Sequence, residues 1–177
     1  MDLSLLGTEC KCFQCFVLET PIIENKEIAK FPITAVRKKS TYKPLLQGTD
    51  LNLSNMQINS IWMNTISYMY LRTLLIKDNP LTYLPDIYTL CTLDCSNCNL
   101  KELPSYLPNL MDLKCSNNFI KSIPKYPTLL KLDASDNIIT KIDRKNFPKL
   151  KSLIINNNPI TKIYVPTLTY LEAYRCP

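Results

Sequence analysis

The sequence predicts a β-dominated α/β fold in which the chain coils into a right-handed solenoid with a parallel β-sheet on its concave face. Three features of the sequence predict this fold. An apolar pattern recurs about every 20 residues, one turn position of most repeats holds asparagine, and proline closes several repeats. No single repeat of this length can bury its own apolar side, so the stacking of neighbouring repeats must create the core.

The repeat can be written L-x-x-L-x-L-x-x-N-x-L-x-x-L, and its positions are numbered here from the first leucine. Six segments match all or most of it, and a weaker seventh precedes them. The ninth positions of these segments are Met56, Asn79, Cys98, Asn118, Asn137, Asn158 and Cys176. They are separated by 23, 19, 20, 19, 21 and 18 residues. Residues 45–177 are therefore predicted to form a solenoid of about seven repeats, and residues 1–44 are treated as a separate N-terminal segment.

Each repeat is predicted to supply one short strand. In Leu93-Asp94-Cys95 the apolar residues alternate, so positions 4 and 6 of the repeat point inward and position 5 points outward. Proline follows the last apolar position in Leu84-Pro85, Leu103-Pro104 and Ile123-Pro124. Because proline lacks a backbone donor and disfavours helix at the residue before it, the return segments are predicted to be extended or 3-10.

The ninth position turns the chain inside the stack, where backbone groups need hydrogen-bond partners. An asparagine side chain can both donate and accept there, whereas cysteine is a weak donor and Met56 cannot donate. The expected structural ladder consists of Asn79, Cys98, Asn118, Asn137 and Asn158. An unpaired buried group costs about 1–3 kcal/mol, so Asn137→Ala is expected to be the most damaging change of a polar residue to alanine.

These residues resemble the leucine-rich repeat family over roughly residues 45–177. The short repeats with Leu-Pro or Ile-Pro endings look like the compact bacterial and viral variety. The richness in Ile, Lys and Asn further resembles leucine-rich repeat proteins of amoeba-infecting giant viruses, although any AT-rich genome gives the same bias. The resemblance implies a non-catalytic protein-protein interaction module that binds a protein partner through the concave face of the solenoid.

Composition excludes several kinds of chemistry. The chain has no histidine and only two glycines, Gly7 and Gly48. Imidazole chemistry and glycine-rich phosphate loops are therefore excluded, and no catalytic residue or cofactor is predicted. No signal peptide and no run of apolar residues long enough to span a membrane is visible. A cytoplasmic location is expected, in the host cell if the protein is viral, with the eight cysteines as thiols.

The N-terminal segment, residues 1–44, allows two interpretations. Residues 28–32 have the spacing of the closing half of a repeat, which favours a degenerate cap, whereas mixed charge favours a loosely folded extension. The basic run at residues 37–39 is interpreted as a solvated linker. Cys10, Cys12 and Cys15 could share a zinc ion, but a fourth ligand is missing, so no metal site is predicted.

Outward strand positions are predicted to form a continuous ribbon on the concave face. In its middle, aspartates and lysines of neighbouring repeats lie beside each other, either as a recognition patch or as pairs that neutralise one another. At its C-terminal end the ribbon becomes apolar and aromatic, and exposed Tyr and Arg often anchor interfaces. The predicted partner-binding residues are Asp94, Asp112, Lys114, Lys131, Asp133, Ile154, Tyr170, Glu172, Tyr174 and Arg175.

Two other surfaces are predicted to matter less. Just past the strands, lysines recur at Lys101, Lys121, Lys141 and Lys162. Solubility explains them, and a nucleic-acid partner is not expected because no exposed aromatic side chains are interleaved with them. The last repeat has no following repeat to cover Leu168, Leu171 and Ala173, so self-association through this end is an option.

Two alternative functions stay open from the sequence. Some secreted bacterial proteins with similar short repeats carry an attached catalytic cysteine domain, which suggests an effector or adaptor that recruits ubiquitin-ligase machinery. The other alternative is a degenerate gene fragment without a partner.

Overall fold

The computed structural model describes residues 33–37, 40–42, 49–63 and 69–176. Within them the chain forms ten strands, one short 3-10 helix, Arg144–Asn146, and two α-helical residues, 69–70. The strands are β1 (Ile33–Arg37), β2 (Ser40–Tyr42), β3 (Asp50–Asn52), β4 (Ile58–Met63), β5 (Thr73–Leu75), β6 (Thr92–Asp94), β7 (Asp112–Lys114), β8 (Lys131–Asp133), β9 (Ser152–Ile154) and β10 (Tyr170–Glu172). No helix in these residues is long and apolar enough to cross a membrane.

The repeats stack their strands into one parallel sheet. Seven strands lie in the order β10-β9-β8-β7-β6-β5-β3, so each strand of a repeat pairs with that of the next. The register is the same throughout, with Leu93 opposite both Leu74 and Leu113, and Leu132 opposite Leu153. The predicted β-dominated solenoid with a parallel sheet is therefore confirmed.

The inward positions of the repeat build one continuous core. The position-4 leucines Leu93, Leu113, Leu132 and Leu153 are all buried and aligned across the sheet. Positions 6, 11 and 14 are buried as well in the central repeats. Each turn therefore covers the apolar side of its neighbour, as the repeat pattern requires.

The return segments close in the same way in successive repeats. Each ends in a tight turn in which a backbone N–H donates to the carbonyl three residues earlier. These bonds join Leu90 to Ile87, Leu110 to Leu107, Leu129 to Tyr126, Leu150 to Phe147 and Leu168 to Val165. Outside Arg144–Asn146, these return segments contain no helix. This agrees with the prolines in them, because proline lacks the backbone donor that a helix needs.

A second, antiparallel sheet joins the N-terminal segment to the first repeat. Strand β1 pairs with β2 and with β4, and Ala35 lies opposite Ile61. Because Ile58 and Ile61 fill positions 11 and 14 of the first repeat, the hairpin pairs with the return segment of that repeat. The cap interpretation of residues 1–44 stays a prediction, since residues 1–32 lie outside the described ranges.

Candidate partner-binding surface

Buried amides at position 9 hold the ends of the concave strands in place. The Asn137 amide nitrogen donates to the carbonyls of Cys115, Ala134 and Ser135 at 3.0, 3.2 and 3.0 Å. Its Oδ1 accepts from the backbone N–H of Ile120 at 3.0 Å. Asn79, Asn118 and Asn158 bond in the same pattern. Each amide therefore ties its own turn to the preceding one.

Cys98 fills the same position with a thiol. Its Sγ lies 3.6 Å from the carbonyl oxygens of both Ile76 and Ser96, distances typical of a weak sulfur donor. Burial raises the pKa of this thiol, so the donor proton is retained. The backbone N–H of Leu81 instead donates to the carbonyl of Asn79 at 2.8 Å. Cysteine thus replaces the donor function of asparagine but not its acceptor function.

A second ladder runs along the rim of the sheet at position 8, and sequence reasoning missed it. Asn97 donates to Asp78 and Asn117 donates to Asn97, each at 2.7 Å, while Asn157 donates to Asp136 at 2.6 Å. All five residues have φ between 52° and 58°, a left-handed conformation that Asn and Asp tolerate. The recurrence of Asn or Asp at position 8 was the available signal. An ionised aspartate accepts hydrogen bonds but cannot donate them. Asp136 therefore does not donate to Asn117, and the ladder begins again at Asp136, which accepts from Asn157.

The predicted charged residues of the concave face are brought together. Lys114 lies opposite Asp94 on one side and Asp133 on the other, and Asp112 lies opposite Lys131. Lys114 and Lys131 are exposed, while the aspartates are half-buried. Among the residues that the structure describes, no ion pair joins any of these five. Their charges are therefore adjacent but not directly paired.

Two of these carboxylates are oriented by the backbone. Asp94 Oδ1 accepts from the N–H of Ser96 at 3.1 Å, and Asp133 Oδ1 accepts from the N–H of Ser135 at 3.2 Å. Both bonds span two residues and close a small turn at the end of the strand. The same backbone hydrogen bond therefore orients both carboxylates within the ribbon.

The C-terminal end of the ribbon contains a cluster organised by Glu172. Asn156 Nδ2 donates to Glu172 Oε1 at 2.6 Å, and the Tyr170 hydroxyl donates to Oε2 at 2.8 Å. Both bonds lower the pKa of Glu172, and the bond from Asn156 has the larger effect. The bond to Glu172 also raises the pKa of Tyr170. Asn156 Oδ1 in turn accepts from the N–H of Tyr174 at 2.6 Å. The carboxylate is thus held in a fixed orientation.

The aromatic side chains of this end are available to a partner. Tyr170 is 50% exposed and Tyr174 is 66% exposed. The guanidinium of Arg175 lies 5.3 Å from the centre of the Tyr174 ring, within cation–π distance. Ile154 lies between Asp133 and Glu172 in the sheet and is half-buried. The predicted aromatic and charged residues of this end therefore share one surface.

Exposed aromatic side chains accompany the lysines that follow the strands, Lys101, Lys121, Lys141 and Lys162. Phe119 is 54% exposed and Tyr164 is 62% exposed. Phe119 occupies position 10, where the repeat pattern specifies no residue type, so its exposure could not be predicted from the spacing. The expectation that no aromatic side chain is interleaved with the lysines was wrong. The absence of a nucleic-acid partner stays a prediction.

Two other hypotheses concern the C-terminal end of the solenoid and the N-terminal cysteines. Leu171 is 50% exposed, while Leu168 and Ala173 pack partly buried against the core. Self-association through this end stays a prediction. Cys10, Cys12 and Cys15, the residues of the zinc hypothesis, lie outside the described residues.

Comparisons with known proteins agree with the repeat pattern. The family model for the leucine-rich repeat matches residues 89–110. A provisionally named leucine-rich repeat protein, R380 of Acanthamoeba polyphaga mimivirus, is 38% identical over 106 residues. The match covers 57% of this chain but only 24% of the relative's length. Together with the parallel sheet, these similarities confirm the resemblance inferred from the repeats.

Proposed function

We propose that this leucine-rich repeat protein is a non-catalytic module whose concave face binds a protein partner. Proteins of this family generally serve as non-enzymatic interaction scaffolds. The observation that carries the proposal is the arrangement of charge on the sheet, where Asp94, Lys114 and Asp133 lie on adjacent strands without a direct ion pair in the described residues. Charges that do not neutralise one another can pair with charges of a partner.

The charge of the concave face favours a partner segment rich in basic residues. Positions 3, 5 and 7 of the seven strands carry five carboxylates and three lysines, whereas the whole chain has a formal charge of +6. The concave face is therefore locally acidic on a basic protein. A basic partner would be attracted to this face. A partner that brought charges of the same sign opposite those of the face would be repelled.

The aromatic end is proposed as the anchor of the same interface. Tyrosine and arginine supply large contact area and commonly carry much of the binding energy. Glu172 is already oriented by Asn156 and Tyr170, so a cationic side chain of the partner meets a carboxylate that needs no further ordering. We place the centre of binding between Asp133 and Tyr174.

Affinity purification from the native host cell tests this proposal. Wild type is compared with the double variant Tyr170→Ala/Tyr174→Ala and with Asp94→Lys/Asp133→Lys. The matched control is Tyr83→Ala/Tyr106→Ala, which removes two exposed tyrosines outside the concave columns. We expect one partner to be lost from both concave variants and retained by the control. The same set of captured proteins in all four samples would contradict the proposal.

A catalytic cysteine is the main competing hypothesis. Cys95 and Cys115 are fully buried, and burial raises the pKa of both thiols. A buried protonated thiol is a poor nucleophile, which supports a non-enzymatic role for this part of the chain. A ubiquitin discharge assay tests the alternative, and a thioester formed on this chain would overturn the assignment.

We also propose that the protein acts in a reducing cytoplasm. The five described cysteines, Cys91, Cys95, Cys98, Cys115 and Cys176, are free thiols. Such thiols persist in a reducing compartment, and the mimivirus relative is compatible with the cytoplasm of a host cell. Thiol counting under denaturing conditions, on protein extracted from host cells with blocked thiols, tests this: blocked cysteines support it and disulfides contradict it.

A further inference from the structure

A groove with a distinct charge lies outside the concave face. It has a volume of about 500 Å³ and lies between two consecutive repeats. Its walls are the segments that directly follow the buried residues Ile139 and Ile160. The side chains that matter for its chemistry are Thr140, Lys141, Arg144, Thr161, Lys162 and Tyr164. We call it the Arg144 groove. None of its residues occupies a concave strand position.

An unusually long return segment builds one wall of this groove. Seven residues separate Ile142 from Leu150, whereas five separate Ile123 from Leu129 in the preceding repeat. The added length is taken up by the 3-10 helix Arg144–Asn146, which Asp143 caps by accepting from the N–H of Lys145 at 3.0 Å. Arg144 is thereby placed at the groove by a local turn that the preceding repeat lacks.

Two of the three cations of the groove, Arg144 and Lys141, contact neighbouring side chains. The Arg144 guanidinium lies 5.5 Å from the centre of the Tyr164 ring, and Lys141 Nζ lies 3.7 Å from Asp143 Oδ2. Lys162 has no ion-pair partner among the residues that the structure describes. With three cations and one carboxylate, the lining carries a formal charge of +2. A doubly charged anion would neutralise it.

A second groove, between two earlier repeats, provides an internal comparison. It has a volume of about 390 Å³ and contains Lys101 together with Asp86 and Glu102, so its lining is net negative. The same contrast holds for the surrounding surface. Outside strand positions 3, 5 and 7, residues 111–176 carry nine cations and two carboxylates, while residues 49–110 carry two cations and three carboxylates. The repeat architecture alone therefore does not produce a basic groove.

We propose that the Arg144 groove binds a phosphate monoester of small-molecule size. A phosphate monoester carries up to two negative charges and several acceptor oxygens, which match the Arg144 guanidinium, the two lysines and the two threonine hydroxyls. The volume lies within the range of roughly 300–1,000 Å³ typical of small-molecule sites. It exceeds what a phosphate group alone would fill, so the body of the ester lies beside Tyr164.

Calorimetric titration of the full chain with adenosine monophosphate, inorganic phosphate and adenosine tests the proposal. We expect saturable binding of the two phosphates and none of adenosine. Arg144→Ala and Lys162→Ala should each weaken binding about tenfold, because each removes a charge-assisted hydrogen bond. The matched control is Lys125→Ala, which removes an exposed lysine from the same basic half but outside the groove. It should leave affinity unchanged.

The results distinguish a site for a phosphate ester from a site for free phosphate, and both from the absence of a site. Tighter binding of adenosine monophosphate than of inorganic phosphate supports a site for an ester, whereas equal binding overturns the contribution of the ester body. No saturation by either phosphate up to about 10 mM overturns the site altogether. Equal losses in Arg144→Ala and Lys125→Ala, measured on variants with unchanged melting temperatures, would reveal diffuse attraction of polyanions and would also overturn it. The concave-face proposal is unaffected by each of these results.

Discussion

Replacing Asn137 by alanine removes a buried amide that makes four hydrogen bonds in the turn after β8. The carbonyls of Cys115, Ala134 and Ser135 each keep a second donor in the variant. Those donors are the Asn118 and Asn158 amides and the backbone N–H of Asn117. The N–H of Ile120 loses the only partner recorded for it within the described residues. The variant therefore leaves one buried donor unpaired.

The expected loss of stability follows from these hydrogen bonds. One unpaired buried donor costs about 1–3 kcal/mol, and the three shared bonds add a smaller amount, so the free energy of unfolding should fall by about 2–4 kcal/mol. Asn79 accepts from two backbone N–H groups, those of Met56 and Ile58. Asn79→Ala should therefore cost at least as much as Asn137→Ala, which revises the ranking expected from the sequence alone.

Urea unfolding followed by circular dichroism measures the effect. The control is Asn99→Ala, because Asn99 is exposed and makes no side-chain hydrogen bond among those found in the described residues. We expect a change of less than about 0.5 kcal/mol for this control. A loss for Asn137→Ala as small as that of the control would refute the reasoning, since it would mean that the ladder amides do not hold the turns together.

Three further predictions concern other positions. Cys98→Asn should raise the free energy of unfolding by about 1 kcal/mol, because an amide donates stronger hydrogen bonds to the carbonyls of Ile76 and Ser96 than the thiol does; urea unfolding checks it, and a loss contradicts it. Glu172, observed by NMR, should titrate below its usual range, so its bonds are present at neutral pH and are lost as the pH falls through the lowered pKa; Asn156→Ala should move that pKa upward. Cys95 and Cys115 should react with a thiol reagent only as fast as the chain unfolds, and prompt labelling of the native protein would contradict this.

The spacing of apolar residues was enough to predict the sheet and its columns. A stacked repeat has one inward face, so Leu93, Leu113 and Leu132 could only align if the repeats coil in register. The same alignment predicts from the sequence alone that Lys114 lies between Asp94 and Asp133. Periodicity therefore predicts which residues are neighbours.

Periodicity does not predict how neighbouring side chains bond. The lack of a direct ion pair at Lys114 in the described residues, and the orientation of Glu172 by Asn156, depend on rotamers that a repeat pattern does not specify. The 3-10 turn at Arg144 arises where a return segment departs from the average length. The pairing of β1 with β4 joins segments outside the regular repeat. These local departures produce the Arg144 groove and the N-terminal sheet.

The central claim is that the repeats stack in register, and methyl NOE spectroscopy on leucine-labelled protein tests it most directly. Neighbouring strands of a sheet lie about 4.8 Å apart, so the account predicts contacts between the methyl groups of Leu93 and Leu113, Leu113 and Leu132, and Leu132 and Leu153. It predicts no contact between Leu93 and Leu153, which are three strands apart. A spectrum without the three neighbour contacts, or with a direct contact between Leu93 and Leu153, would contradict the stacked solenoid.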